Sequence, residues 1–300
     1  MGSPKTDLWQ QKTTTNKIFD LIEENAAEEL ADHAEKTEVA YLSEFEDEAM
    51  EYIKNKGKYN GISTGYPKLD KLMGSFLPGE LFTIGGDTGH GKSLLAMNIA
   101  MNVYQQYQEP VLMVNLELTR AQAVERFYYM SDNHDYAGIM VQRAPALSYK
   151  DIDVLMLKAK EHGCRLVIID HLHFFSRTAK DTVAELSRIM KHFKECAVEH
   201  NLPVILLSHV TPTRIMGADG EIKKEVKPGL HNFKGSSSIE QDSDMVAFIW
   251  RSKDKPEETE VYMRKNRSRP LNGDSITLYQ QDWRLVETPW YLVNSEESGN

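Results

Sequence analysis

The segment Gly86-Asp87-Thr88-Gly89-His90-Gly91-Lys92-Ser93 constrains this chain more than any other. It fits G-x-x-x-x-G-K-[ST], the phosphate-binding loop that joins a strand to a helix. Glycines let the backbone wrap around phosphate oxygens without Cβ clashes. Successive N–H groups then turn inward as a nest for anions. Both flanks that the pattern requires are present. Leu81-Phe82-Thr83-Ile84 reads as a buried strand, and residues 93–101 read as a helix. The helix N-terminus adds positive potential where the phosphates sit. The motif assigns Lys92 to the β- and γ-phosphates and the Ser93 hydroxyl to Mg²⁺, with Gly86, Asp87, Thr88, Gly89, His90 and Gly91 forming the cradle. ATP and Mg²⁺ are the implied ligands.

The rest of the chain supplies strands on which such a loop can sit. Candidates are 80–85, 111–116, 166–170, 204–208, 245–250 and 260–265, with helices over 92–106, 119–130, 148–162 and 182–200. This alternation predicts an α/β fold with a mainly parallel sheet covered by helices on both faces. Segments 275–279 and 283–287 read as a closing hairpin.

In such sheets ligands sit at the carboxyl ends of strands. Leu166-Val167-Ile168-Ile169-Asp170 is an apolar strand ending in an acid, and Asp170 is placed to bind Mg²⁺. Val111 to Glu117 ends similarly. Glu117 is placed to orient and deprotonate an attacking water, while Thr119 serves the following helix as N-cap; the two roles are compatible. Ser208-His209 ends a third strand, where His209 can sense the γ-phosphate. His171 and His173 flank Asp170 and read as polar-network residues, because no further zinc ligands accompany them.

Three segments carry candidate phosphate contacts for nucleic acid. Arg177 and Lys180 follow the Asp170 strand. Residues 211–230 form a long stretch with Arg214, Lys223, Lys224 and Lys227, which composition alone reads equally as a binding loop or a solvated one. Lys234, Gly235 and Ser236 then offer ammonium, hydroxyl and backbone N–H donors. No base-reading motif accompanies them, so binding is expected to be independent of sequence. Lys265 and Arg267, two apart in a strand, share a face and suggest cations aimed together at a phosphate. If they cannot reach their own loop, they serve a neighbour's.

The net charge is −10, of which residues 1–60 carry −7 through 7 Lys and 14 Asp or Glu. The mildly acidic body still accommodates a local basic strip, since only charge within a Debye length of the phosphates matters. Residues 1–15 read as a disordered tail and 16–57 as acidic helices with an apolar stripe, packed on their own domain or docked on a neighbouring subunit. Residues 58–290 form the ATPase domain, and 291–300 a polar tail. Cys164 and Cys196 give neither a disulfide framework nor zinc spacing, which fits a cytoplasmic protein. No apolar run reaches membrane-spanning length.

From Gly61 to Glu287 the chain resembles the ATPase domain of DnaB-type replicative helicases. Thr64-Gly65-Tyr66-Pro67-Lys68-Leu69 is similar to the family's opening T-G-x-x-x-L, which RecA and KaiC relatives share. More specific is Gly235-Ser236-Ser237-Ser238-Ile239-Glu240-Gln241-Asp242-Ser243-Asp244, which resembles G-S-x-x-I-E-Q-D-A-D. Asn115-Leu116-Glu117-Leu118 matches the segment bearing the catalytic glutamate, and Lys265-Asn266-Arg267 matches the K-x-R of the trans-acting finger. The resemblance implies a RecA-like core in a homohexameric ring that moves 5′→3′ on single-stranded DNA while hydrolysing ATP. It assigns Lys265 and Arg267 to the adjacent subunit's γ-phosphate, and it introduces primase, loader and polymerase as partners. His209 departs from the glutamine usual in bacterial members and is similar to the phage and mitochondrial branch. The chain has no room for an N-terminal collar or primase domain, as expected of a fragment or a minimal phage-like form. A RecA-, KaiC- or RadA-like ATPase and a non-translocating assembly protein are the competing readings.

Overall fold

Eleven strands are described: β1 (Leu81–Gly86), β2 (Val111–Asn115), β3 (Ile139–Gln142), β4 (Leu166–Asp170), β5 (Val204–His209), β6 (Thr213–Met216), β7 (Ile222–Val226), β8 (Met245–Trp250), β9 (Glu258–Asn266), β10 (Ile276–Gln281) and β11 (Arg284–Val286). Nine form one sheet in the order β11-β10-β9-β8-β1-β5-β4-β2-β3. From β8 to β3 every pair is parallel; from β8 to β11 every pair is antiparallel. The structure is a computed structural model and describes residues 41–47, 50, 61–115, 118–131, 133–142, 147–176, 182–211, 213–216, 222–233, 237–271 and 275–288.

Every residue of β1, β2 and β4 is buried. Burial on both faces is why these strands read as continuous apolar runs. Their side chains divide with period two. Phe82, Ile84, Met113, Ile168, Ile205 and Leu207 face one core with Leu95, Met97, Ile99 and Val103 of α2 (Lys92–Tyr107). Leu81, Leu112, Val114, Val167, Ile169, Val204 and Leu206 face the other. There they meet Ile152, Leu155 and Met156 of α4 (Asp151–Glu161) and Ile189, Met190 and Phe193 of α5 (Thr182–Glu199). Each such fully buried aliphatic or Phe side chain contributes roughly 1.5–3 kcal/mol.

The remaining helices are α1 (Pro67–Met73), α3 (Arg120–Met130) and α6 (Ser237–Asp242). Ahead of α1, the Asp70 carboxylate accepts bonds from the Thr64 N–H at 2.8 Å and hydroxyl at 2.7 Å, tying the opening Thr-Gly segment into a knot. Within the signature that includes α6, Ser243 Oγ donates to Ile239 O at 2.6 Å and lies 2.7 Å from Thr83 Oγ1, both residues being fully buried. Much of that signature therefore has a packing role.

Several elements depart from expectation. Residues 211–230 are not one loop: β6 and β7 pair as an antiparallel hairpin with an irregularity between Ile215 and Met216. α1 and β3 have no counterpart in the sequence reading. Residues 1–40 and most of 48–60 lie outside the described residues, and with them the N-terminal tail, the docking helices and nearly all of their apolar stripe. The described part of Met1–Tyr59, a unit separate from Asn60–Asn300, is a short turn at Leu42–Phe45 in which Tyr41 and Leu42 are exposed. No described helix is long and apolar enough to cross a membrane.

Candidate active site

Strand register gathers the site. Gly86 ends β1 level with His209 at the end of β5, and Asp170 ends β4 level with Asn115 at the end of β2. The loop between β1 and α2 turns on Gly89 (φ 82°) and Gly91 (φ 94°), in the left-handed region that strains any side chain. Lys92 follows at the start of α2 and is largely buried. Its ammonium donates to Gly86 O and Asp87 O, each at 2.9 Å, and lies 3.4 Å from His209 Nδ1. The same His209 nitrogen lies 3.4 Å from Thr88 Oγ1. Loop, lysine and the end of β5 thus form one connected unit.

Asp170 is 3% exposed. One carboxylate oxygen accepts from Ser93 Oγ at 3.2 Å and the other from Asn115 Nδ2 at 3.3 Å. A buried carboxylate beside a serine hydroxyl is an all-oxygen donor set, the kind that suits a hard dication such as Mg²⁺. A cavity of about 490 Å³ opens over these groups. Its wall adds three residues that sequence reasoning missed: Arg126, Arg251 and Trp283. The Arg251 guanidinium donates to the buried Thr259 Oγ1 at 3.1 and 2.7 Å, and burial pulls its pKa below the ordinary arginine value. Its NH2 comes within 3.1 Å of where a Cβ on Gly91 would sit. Arg126 stacks its guanidinium 4.9 Å over the Trp283 ring. These residues come from the end of β8, α3 and the β10–β11 turn, and only strand order brings them together.

The histidines cluster here too. His171 adopts φ 92° and its ring centre lies 4.2 Å from that of His209. His173 Nε2 lies 3.4 Å from Ser208 Oγ, in keeping with a polar-network role. Glu117 lies outside the described residues; Asn115, two positions earlier, stands beside Asp170. Thr119 caps α3 as expected: Gln122 N donates to its hydroxyl at 3.2 Å, and its own N–H donates to Gln122 Oε1 at 2.9 Å.

Lys265 and Arg267 are elsewhere. Asn266 pairs with Met245 at the start of β8, whereas the phosphate loop lies level with the end of β8. Five strand residues separate the two levels, or about 16 Å at ~3.3 Å per residue, before sideways offset is counted. The two cations converge, as strand alternation requires. Lys265 Nζ donates to Glu240 O and, at 3.2 Å, to Gln241 O; Arg267 NH2 donates to Gln241 O. Arg267 NH1 also pairs with Asp244 Oδ1 at 3.4 Å. Asp244 Oδ2 in turn accepts from Lys194 Nζ at 2.7 Å and Leu81 N at 2.8 Å. Desolvation, followed by the neighbouring Arg267 charge, lowers the Lys265 pKa.

Of the nucleic-acid candidates, Arg177, Lys180, Lys234, Gly235 and Ser236 lie outside the described residues. Arg214, Lys223 and Lys224 fall on the β6–β7 hairpin, where Arg214 pairs with Glu225 and Ile215 with Lys224 in backbone register. The Lys227 ammonium pairs with Glu260 at 2.7 Å and lies 5.3 Å from the Trp250 ring centre.

A nucleotide cradle at the carboxyl ends of a parallel sheet, with an acid on the strand two positions away, defines a RecA-like P-loop ATPase fold. The DnaB-like helicase C-terminal domain model matches residues 61–137 and 128–285, and the chain belongs to that family. It is 26% identical over 313 residues to the replicative DNA helicase DnaC of Bacillus subtilis, covering 88% of this chain and 68% of that protein. It is 26% identical over 273 residues to the replicative DNA helicase DnaB of Geobacillus stearothermophilus, covering 79% and 59%. The chain therefore spans roughly three fifths to two thirds of these relatives. Among solved structures, an ATPase domain determined by itself has a TM-score of 0.68 at 20% identity, covering 84% of this chain and all of that one. The RadB recombinase has a TM-score of 0.55 at 20% identity, covering 76% of this chain and all of that one. At these identities the structural likenesses establish the fold alone.

Proposed function

We propose that this chain is the motor of an ATP-dependent replicative helicase, working as a ring, with a hexamer expected, around single-stranded DNA in the cytoplasm. One observation carries the reading. The phosphate cradle and the Lys265–Arg267 pair occupy opposite ends of one sheet, so the pair is too distant to serve its own cradle and suited to a neighbour's. Residues 58–290 are the motor domain, and the acidic segment before it is the arm that docks on an adjacent subunit.

The chain's own groups divide the work. Lys92 exchanges its two carbonyl contacts for β- and γ-phosphate oxygens, while the loop N–H groups hold the rest of the triphosphate. Ser93 and Asp170 hold Mg²⁺, which when bound bridges phosphate oxygens and offsets their charge. Glu117 orients the attacking water and takes its proton. His209, in reach of both Lys92 and Thr88, reports γ-phosphate loss to the segment after β5. Arg267 and Lys265 of the adjacent subunit stabilise charge developing on the phosphoryl group. Arg214, Lys223, Lys224, Lys227 and Lys234, with Arg177 and Lys180, supply phosphate contacts to DNA; Lys227 contributes on leaving Glu260. The primase-interacting helicase among the fold's solved relatives, with a TM-score of 0.65 at 19% identity over 94% of this chain and 77% of that one, supports primase as a partner.

The test is ATP turnover with and without single-stranded DNA, together with DNA affinity across salt concentrations. Turnover is expected to rise with DNA, and affinity to fall steeply with salt while varying little with base sequence. DNA-indifferent turnover with salt-independent binding contradicts a motor.

A further inference from the structure

On the face of the sheet carrying α4 and α5, three ligand-type side chains meet that the nucleotide chemistry does not use. His192 and Cys196 stand one turn apart on α5, so both point to the same side. Asp153, from the first turn of α4, reaches across to both. Its Oδ2 lies 3.0 Å from His192 Nε2, and its Oδ1 accepts from Cys196 Sγ at 3.4 Å; Sγ and Nε2 are 3.9 Å apart. We propose that Asp153, His192 and Cys196 bind a single divalent ion of the zinc type, which staples α4 to α5.

The spacing supports a metal. Zn–N, Zn–O and Zn–S bonds of about 2.0, 2.0 and 2.3 Å at tetrahedral angles put ligand atoms about 3.3 to 3.6 Å apart. The three observed separations bracket that range, so small rotamer adjustments close the site. Sulfur, imidazole and carboxylate together select zinc over calcium or magnesium. With three protein ligands, a water completes the tetrahedron. Cys196 is 1% exposed, whereas the Asp153 side chain is 58% exposed. The ion therefore enters from the Asp153 side and finds its sulfur ligand at the bottom.

The surroundings orient the ligands. Glu195 Oε2 lies 3.6 Å from His192 Nδ1, the ring nitrogen turned away from the site. A carboxylate there holds the proton on Nδ1 and leaves the Nε2 lone pair for a metal. Tyr149 packs edge-on against the same ring, with centres 6.3 Å apart.

Charge favours a cation. Desolvation, then Asp153, then Glu199 and Glu195 push the Cys196 thiol up to about 12. Burial raises the Asp153 pKa, but hydrogen bonds from His192 and Cys196 outweigh it and hold the carboxyl below its usual range. A thiol this protonated, 3.9 Å from the imidazole, is not an activated nucleophile. Anionic neighbours that oppose thiolate formation are the ones that welcome a dication. Binding replaces the Cys196 proton with the metal and releases that proton to solvent. Neither cysteine belongs to a recognisable zinc spacing, because one ligand comes from a different helix.

The test uses the full reduced chain in excess Mg²⁺, titrated with Zn²⁺ against a chromophoric chelator and separately with Co²⁺. One zinc per chain is expected, and cobalt should give a sulfur-to-metal charge-transfer band with tetrahedral visible absorption. Cys196→Ser should abolish the band, and Cys164→Ser should keep it. Glu195→Gln should weaken zinc by about 10-fold, and loss of the ligand in Asp153→Asn by about 100-fold. Asp153→Asn alters an exposed carboxylate, so it carries the test should Cys196→Ser fail to fold. Absence of stoichiometric zinc, a band that survives Cys196→Ser, or undiminished affinity in Asp153→Asn overturns the proposal.

Discussion

The two ends of the central sheet hold their cations in opposite ways. At the carboxyl end of β1, Lys92 is buried and bonds to the carbonyls of its own loop, Gly86 and Asp87. Both carbonyls lie within six residues of it in sequence. At the other end, Arg267 is half-exposed and bonds to groups at 241 and 244, while Asp244 is itself held by Lys194 and by the first residue of β1. The first arrangement is local and closed over its ligand site. The second is assembled from distant segments and faces outward. A closed cradle suits a group that binds substrate within its own subunit; an outward-facing cation braced from behind suits one that acts on another subunit.

The sharpest way to break this contrast is at the cradle. Lys92→Ala should drive ATP turnover below detection and weaken nucleotide binding, measured by phosphate release and by titration with a fluorescent nucleotide. Unchanged turnover would remove Lys92 from the chemistry. Next in size is Arg267→Ala, which should lower turnover by about 10³-fold while leaving nucleotide affinity within a few-fold of the parent. A matching loss of affinity would put Arg267 in its own cradle, against the ~16 Å strand separation. The smallest effect concerns the brace. Asp244→Asn keeps the side chain's shape but removes the charge facing Lys194 and Arg267. It should cost about 1–3 kcal/mol in urea unfolding, since a largely buried charge-assisted network loses its acceptor. Turnover should fall less than in Arg267→Ala. Full stability in this variant would show that the brace is not what holds the finger end.

The contrast also marks what could be read from sequence. The cradle lies in eight consecutive residues, so glycine spacing, a buried strand and a helix start reveal it without any tertiary information. Asp170 was equally legible, because a parallel strand buried on both faces is an apolar run with a clear end. The family signature around Ile239–Asp244 pointed to the finger end, but not to Lys194 as the partner of Asp244. Arg251, Arg126 and Trp283 were invisible as site residues. Their convergence depends on β8 lying beside β1 and on the β10–β11 turn reaching α2, where Asn98 Nδ2 donates to Trp283 O at 3.0 Å. β3 is four half-buried residues and carries no strong period. β6 and β7 are rich in charged residues, which masked their alternation inside a stretch that reads as loop. The Asp153–His192–Cys196 cluster was hidden for the same reason as the cavity wall: no single segment contains it.

The central claim is that each catalytic site is shared between subunits. A Lys92→Ala subunit has a defective cradle and an intact finger; an Arg267→Ala subunit has the reverse. Each variant alone should be inactive. The decisive measurement is ATP turnover in assemblies mixed from the two, with native mass spectrometry verifying that mixed species are present. Recovery of turnover is expected, at interfaces where an intact cradle meets an intact finger. No recovery in assemblies shown to be mixed would contradict the account.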